Sequence, residues 1–314
     1  MTASRDEIVV GVDLGGTKIE AVVVRVRPDG DFDVLARDRT DTRASEGYDA
    51  VLESAATVIA RVEASAGVRA RPIGVGMPGG VRRSDGAVKN SNATCLNGRP
   101  FREDLRAKLR RAIAFENDAN CFALAEATLG AARAYRDGVV FGVIMGTGVG
   151  GGVVLQGRPW PGLHGIAGEW GHHPVRFGDD AEPCYCGQRG CLERYASGPA
   201  LEARYAKLSG QRHSATEIAG MYETDPHARE ALSSLCEAFG RGLATLVDVL
   251  DPSCVVLGGG LSNVALLYTE GVAAARAQVF NDELLTPVVK NALGDSAGVL
   301  GAAMLVAGER AHAG

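Results

Sequence analysis

The sequence predicts an α/β protein made of two related halves. Two observations carry this: strand-like runs alternate with amphipathic helices, and a strand–glycine turn–strand unit occurs twice, about 130 residues apart. A third glycine run, after a late buried strand, completes the pattern.

The first unit runs Ile8 to Leu14, turns at Gly15-Gly16-Thr17-Lys18, and returns through the Val-rich Ile19 to Val26, so it is a β-hairpin. Residues 48 to 64 space their apolar side chains for a helix. Pro72 to Met77 reads as a short buried strand before Pro78-Gly79-Gly80. Phe101 to Ile113 is expected to be one amphipathic helix with a basic outer face, and a second helix is expected from about Ala119 to Leu129. The second unit begins with the strand Val139 to Met145, takes Gly146 to Gly152 as its glycine turn, and returns at Val153 to Leu155. A long helix from about Ala231 to Leu250 precedes the strand Cys254 to Leu257 and the run Gly258-Gly259-Gly260. Gly298 to Val306 is expected to be a small-residue helix that returns to the first lobe.

Composition removes several function classes. A chain of 314 residues, 46% hydrophobic and 23% charged, is long enough for two domains. Its 33 lysines and arginines against 38 acids leave a formal charge of −5, so nucleic acid is not an expected partner. No apolar stretch approaches the roughly 18 residues of a bilayer span, and Met1 to Glu7 is polar. The expectation is therefore a cytoplasmic protein with no membrane partner. Seven cysteines, three of them between positions 184 and 191, point to metal ligation over a disulfide framework.

Two glycine loops imitate nucleotide fingerprints but lack the required context. Gly11 to Lys18 has Thr17 and Lys18 in the wrong order for a Walker loop, and a strand follows where a phosphate-cradling helix must begin. Gly146, Gly148 and Gly151 satisfy G-x-G-x-x-G, yet again a strand follows. Glycine hairpins still let backbone N–H groups approach phosphate oxygens, and Thr17, Lys18 and Thr147 add donors. One such loop is as consistent with a plain tight hairpin. Three in one chain favour a nucleotide.

Residues 184 to 193 read Cys-Tyr-Cys-Gly-Gln-Arg-Gly-Cys-Leu-Glu. Three cysteines with intervening glycines can wrap one zinc ion, with upstream His172 or His173 as the fourth ligand. Such a site has no open position for water, so the zinc would be structural. Free or redox-active thiols are the alternative, but an exposed glycine-rich loop would make them an oxidation liability. Clamping His172 and Cys191 on one metal would hold Glu169 and Glu193 in fixed relation, a carboxylate pair suited to gripping vicinal hydroxyls. Asn117-Asp118 precedes a helix and reads first as an N-cap. Asp118 can also be read as a general base kept ionised by the helix dipole, and the two roles can coexist.

On these residues the chain resembles the ROK family of bacterial sugar kinases, within the actin/hexokinase-like ATPase superfamily. The matching stretches are Asp13 to Lys18, Glu116 to Asp118, Gly146 to Gly152, Glu169 to His172, Cys184 to Glu193 and Leu257 to Asn263, spread over nearly the whole length. The resemblance implies a two-lobed fold of duplicated ribonuclease H-like domains, with ATP and hexose in the cleft between them. It implies a small lobe of residues 1–118 plus about 300–314 and a large lobe of residues 119–299 carrying the zinc motif. Asp118 would be the catalytic base, and Gly79, Asn92, Asn117, Asp118, Glu169, His172 and Glu193 would bind the sugar. Gly15, Gly16, Thr17, Lys18, Gly146, Thr147 and Gly148 would hold phosphates, with Gly258, Gly259 and Gly260 beside adenosine. Asp13 would act on magnesium through water, and His172, Cys184, Cys186 and Cys191 would bind zinc.

Within the family, Val88 to Phe101 together with Gly168 to Pro174 looks most like manno(fructo)kinases, so fructose is the first expected substrate, with mannose as a further one. N-acetylglucosamine and glucose kinases are the alternatives. The gap from His172 to Cys184 is two residues longer than the commonest family pattern, which lets His173 compete for the metal. The family also suggests a homodimer. Sugar-sensing relatives that regulate transcription carry a helix-turn-helix, for which the 12 residues before Asp13 leave no room.

Overall fold

The computed structural model describes residues 6–69, 72–82 and 84–307. Strand β1 (Glu7–Leu14) turns into β2 (Lys18–Val26), and β3 (Phe32–Asp41) pairs antiparallel with the far side of β2. Ile19 to Val24 are all buried, so both faces of β2 are covered, as an unbroken apolar run demands. Helix α1 (Tyr48–Ala66) lays Val51, Ala55, Val58, Ile59 and Val62 on β2 and β3, then stops at Gly67 in the left-handed conformation.

Strand β4 (Ile73–Met77) runs parallel to β1, and the small hairpin β5 (Gly80–Val81) with β6 (Val88–Lys89) follows. Helix α2 (Phe101–Leu109) leads to β7 (Ile113–Asn117), parallel to β4. This corrects the single helix expected from Phe101 to Ile113. Arg110 takes φ 53° and ends the helix, and Ile113 starts a strand that completes the sheet β3-β2-β1-β4-β7.

Helix α3 (Asp118–Thr128) leaves the end of β7 and carries the chain to a second sheet. Strands β8 (Val139–Met145) and β9 (Val149–Leu155) form its hairpin, with β10 (Arg158–Pro159) beyond β9. The glycine turn is shorter than expected, because Gly150 to Gly152 lie inside β9. Their missing side chains make room for neighbours: a Cβ on Gly152 would sit 2.4 Å from the Ala119 carbonyl oxygen at the head of α3.

Helices α4 (Glu193–Ala196), α5 (Gly198–Ser209), α6 (Ala215–Gly220) and α7 (Pro226–Leu250) follow, with α5 and α7 packed together. Strand β11 (Cys254–Gly258) runs parallel to β8, α8 (Glu270–Arg276) packs on α7, and β12 (Val288–Lys290) runs parallel to β11. The second sheet, β10-β9-β8-β11-β12, repeats the first: an antiparallel hairpin followed by two parallel strands.

Helix α9 (Ala297–Met304) returns to β1 and β4 as expected and also packs on α3. Of the segment 300–314 assigned to the first lobe, residues 308–314 lie outside the described residues. An apolar seam joins the two sheets through α3 and α9, from Val9, Val22 and Val24 to Val140, Val154 and Val256. Among the described residues no helix is long and apolar enough to cross a membrane.

Candidate active site

The head of α3 lies where the two sheets meet. Asn117 has extended backbone, and its Oδ1 accepts from Ala119 N at 2.8 Å, the N-cap geometry. Its Nδ2 donates to the Gly79 carbonyl at 2.9 Å, which ties the helix start to the turn after β4. Gly79 has φ 82°, and a Cβ there would lie 2.2 Å from the Lys89 carbonyl oxygen, so the turn requires glycine. Asp118 Oδ1 also accepts from Ala119 N, at 2.9 Å. Burial pushes the Asp118 carboxyl above its ordinary value, opposed by that N–H. Beneath it, Glu116 accepts from Asn117 N and Asn120 Nδ2, while Asn120 Oδ1 takes Val153 N at 3.0 Å, joining α3 to β9.

A cavity of about 630 Å³ is lined by Asp118 together with Asp13, Gly15, Gly259, Gly260 and Lys290, so both halves of the chain contribute. Asp13 is raised to about 6, first by burial and then by the neighbouring Asp118 and Glu20 carboxylates. A Cβ on Gly298, in the first turn of α9, would approach Asp13 Oδ2 to 2.8 Å, so glycine keeps that carboxylate clear. The tip of the first hairpin is braced by Thr42, whose hydroxyl donates to the Gly15 carbonyl. Thr17 and Lys18 are exposed there, and Asn92 lies beside Gly16.

A second cavity, about 940 Å³, is lined by Gly146, Thr147, Gly198, Gly260, Leu261 and Asn263 among others. It shares Gly260 and Asn263 with the first, so the glycine turns at 146–148 and 258–260 border one continuous groove. Gly258 ends β11 against Phe122, and Gly259 has φ 77°. Glu193 reaches this turn: its Oε2 accepts from Val149 N at 2.9 Å, and a Cβ on Gly148 would come within 2.6 Å of it.

The cysteine motif folds into a knot beside Glu193. Among the described residues His172, Cys184, Cys186 and Cys191 bring one donor atom each within 4.8 Å of one another. Cys184 Sγ lies 3.6 Å from His172 Nδ1, and Cys186 Sγ lies 3.6 Å from Cys191 Sγ. Tetrahedral zinc with Zn–S of about 2.3 Å and Zn–N of about 2.0–2.1 Å gives edges of roughly 3.8 and 3.5 Å. The donor set thus fits that ion. His173 does not compete: its ring stacks on Trp170 and Nδ1 bonds the Trp170 carbonyl oxygen.

Two features of the site had no counterpart in the sequence reading. Tyr185, between two of the cysteines, places its hydroxyl 3.0 Å from His172 Nε2. Burial and then the neighbouring charges of Glu193, Cys184 and Glu169 hold its phenol above the ordinary value. Lys290 enters the Asp13–Asp118 cavity from an edge strand far along the chain. A lone lysine at the end of a Val-Val strand gives no local signal.

The duplicated sheets, the cleft between them and the acid pair define the two-lobed actin/hexokinase-like ATPase class. A model of the ROK family matches residues 9–309, and the chain belongs to that family. It is 35% identical over 305 residues to an N-acetyl-D-glucosamine kinase of Aliivibrio fischeri, covering 94% of this chain and 98% of that protein. A crystal structure of a ROK hexokinase from Thermus thermophilus superposes with a TM-score of 0.84 at 37% identity, over 95% of this chain and 97% of the other. A ROK family glucokinase from Streptomyces griseus, solved with glucose and AMPPNP, gives 0.73 at 28% identity, over 95% and 98%.

Proposed function

We propose that this protein is an ATP-dependent hexose kinase whose acceptor is N-acetylglucosamine, phosphorylated on its 6-hydroxyl. The observation that carries the kinase reading is Asp118, a carboxylate at a helix head that opens on the cavity walled by Asp13 and the glycine turns of both halves. The two lobes are residues 1–118 with about 300–314, and residues 119–299.

The choice of sugar rests on relatives and on one cavity. Relatives named as N-acetyl-D-glucosamine kinases match along almost their full length, so the fructose expectation gives way to N-acetylglucosamine. A space of about 480 Å³ adjoins Asn117, walled by Val81, Phe115 and Pro161 and bordered by Arg82 and Arg102. The lining is mixed and includes the Glu116 carboxylate; its guanidinium groups can donate to an acetamido carbonyl while Val81, Phe115 and Pro161 meet the methyl.

In the reaction the 6-hydroxyl oxygen attacks the γ-phosphorus, the hydroxyl proton passes to Asp118, and ADP leaves. Ala119 N–H holds one Asp118 oxygen, which leaves the other for that proton. Asn117, Glu169, His172 and Glu193, with Gly79 and Asn92 at the small-lobe side, orient the sugar hydroxyls. Backbone N–H groups of the turns at 15–18 and 146–148 meet the phosphates, with 258–260 beside the adenosine. Magnesium, when bound with the nucleotide, neutralises phosphate charge, and the mutually repelling Asp13 and Asp118 pair suits a divalent cation or its waters. His172, Cys184, Cys186 and Cys191 would hold zinc, which would supply no chemistry but would brace the segments that carry Glu169 and Glu193.

The test is ADP release measured with N-acetylglucosamine, fructose, mannose and glucose. N-acetylglucosamine is expected to give the highest kcat/KM. A higher value with fructose would overturn the choice of sugar, and no sugar-stimulated ADP release at all would overturn the kinase reading.

A further inference from the structure

The 630 Å³ cavity poses a charge problem. Its ionisable lining consists of three carboxylates, Asp13, Asp118 and Asp295, and one basic side chain, Lys290. A cavity that is to receive the phosphates of a nucleotide, themselves anionic, needs fixed positive charge, and of the turn at 15–18 only Gly15 lines it, the Lys18 side chain being outside that lining. Lys290 stands at the C-terminal end of β12, level with Leu257 just before the Gly258–Gly260 run.

The segment that presents it is held from several sides. Asn291 N donates to the Leu257 carbonyl oxygen at 2.9 Å. Ala292 N and Leu293 N donate to the carboxylate of Glu126, which is fully buried in α3, the helix that begins with Asp118. Arg37 Nη1 donates to Ser296 Oγ at 2.9 Å, tying the same segment to β3 of the first sheet. Lys290 is thus registered against Asp118 through Glu126, while its own ammonium is paired with no carboxylate among the described residues. A lysine on an anchored backbone, exposed to a cleft and lacking an acidic partner, is ready for an anionic ligand.

We infer that Lys290 is a phosphate-binding residue of the nucleotide site, contacting the β- or γ-phosphate of ATP opposite the Asp13–Asp118 pair. The inference rests on the kinase reading above and extends it to a residue outside the glycine loops. It gives the second half of the chain a charged contribution to phosphate binding in addition to backbone donors.

The experiment compares K290A, K290R and wild type by direct binding of ATP, ADP and adenosine, alongside sugar kinetics. K290A is expected to weaken ATP and ADP at least about tenfold, the scale of one charge-assisted hydrogen bond. Adenosine affinity and KM for the sugar should stay near wild type, K290R should recover most of the loss, and the salt dependence of ATP binding should flatten in K290A. Wild-type ATP affinity in K290A would overturn the assignment alone, as would a loss that falls equally on adenosine. If wild type binds no ATP, the kinase reading falls and takes the assignment with it.

Discussion

Asp13 and Asp118 share one cavity, and each has its carboxyl pushed up. A base that must be ionised sits here in surroundings that favour its protonated form. Replacing Asp118 with Asn keeps the size and the Ala119 contact but removes the proton acceptor. Turnover is expected to fall by about 10²–10⁴ with sugar affinity retained, measured by kcat and by calorimetric binding. Asp13 makes the thermodynamic side visible. Its folded value of about 6 exceeds the ordinary 3.8, so the folded protein holds this proton more tightly than the unfolded chain. The resulting cost is absent below about pH 4, grows as pH rises, and is complete above about pH 6. The full shift corresponds to about 3 kcal/mol, reduced to about 1–2 kcal/mol by the partial exposure of the group. Asp13→Asn should therefore raise the melting temperature of the ligand-free protein at pH 7.5, leave it unchanged near pH 4, and abolish activity. Equal gains at both pH values would contradict this account.

At the scale of elements, the cysteine knot and the head of α3 are separate devices, and Glu193, just past the last cysteine, holds the turn of the second hairpin through Val149 N. Stripping the metal, or replacing Cys191 with Ser, should weaken sugar binding about tenfold or more, as loss of an ordering shell does. Nucleotide affinity should hold, since the knot does not line the nucleotide groove. Calorimetry with each ligand before and after chelation reads both; parallel losses would mean that the knot supports the whole fold. Much of this site was legible in the sequence. Asn117-Asp118, the three cysteines and the glycine turns each carry their chemistry in adjacent residues. What was not legible depends on distant partners. The preference for His172 over His173 came from the family resemblance alone, because nothing local in the sequence says that His173 stacks on Trp170. Glu126 looks like a surface acid and is fully buried, because Ala131, Ala292 and Leu293 supply backbone N–H groups. Strand β3 had only Val34-Leu35-Ala36 to announce it; the Arg and Asp side chains from Arg37 on suit a sheet edge, where Arg39 pairs Glu20. Strand β7 had no expectation of its own, and its first residue, Ile113, was taken into the preceding helix because only the short turn Arg110 to Ala112 separates them.

For the whole molecule, the repeated glycine hairpins foreshadowed the repeated strand order and the small-residue run foreshadowed the return of the last helix, but not its packing on α3, which makes it the joint between the sheets. That joint is α9, seated where β1 and β4 lack side chains. A Cβ on Gly74 would lie 1.7 Å from the Ala302 carbonyl oxygen, and one on Gly11 would lie 2.2 Å from that of Val299. Backbone on both sides leaves nothing to swing aside. Gly74→Ala is expected to cost about 3 kcal/mol or more in urea unfolding, with activity lost in proportion to the unseated helix. A substitution within 1 kcal/mol of wild type would show that the seat is looser than the geometry implies.

The same seat has a consequence for how the protein is made. Strand β1 leaves the ribosome about 290 residues ahead of α9, the helix that covers its Gly11 face. Throughout synthesis the nascent first sheet presents a bare apolar strip with no local segment to cover it. The first sheet can collapse early around α1, yet its other face stays open until α9 has been made. A ribosome paused between β11 and α9 would hold a complete hairpin of each sheet and an open seam, the form most exposed to chaperones and proteases.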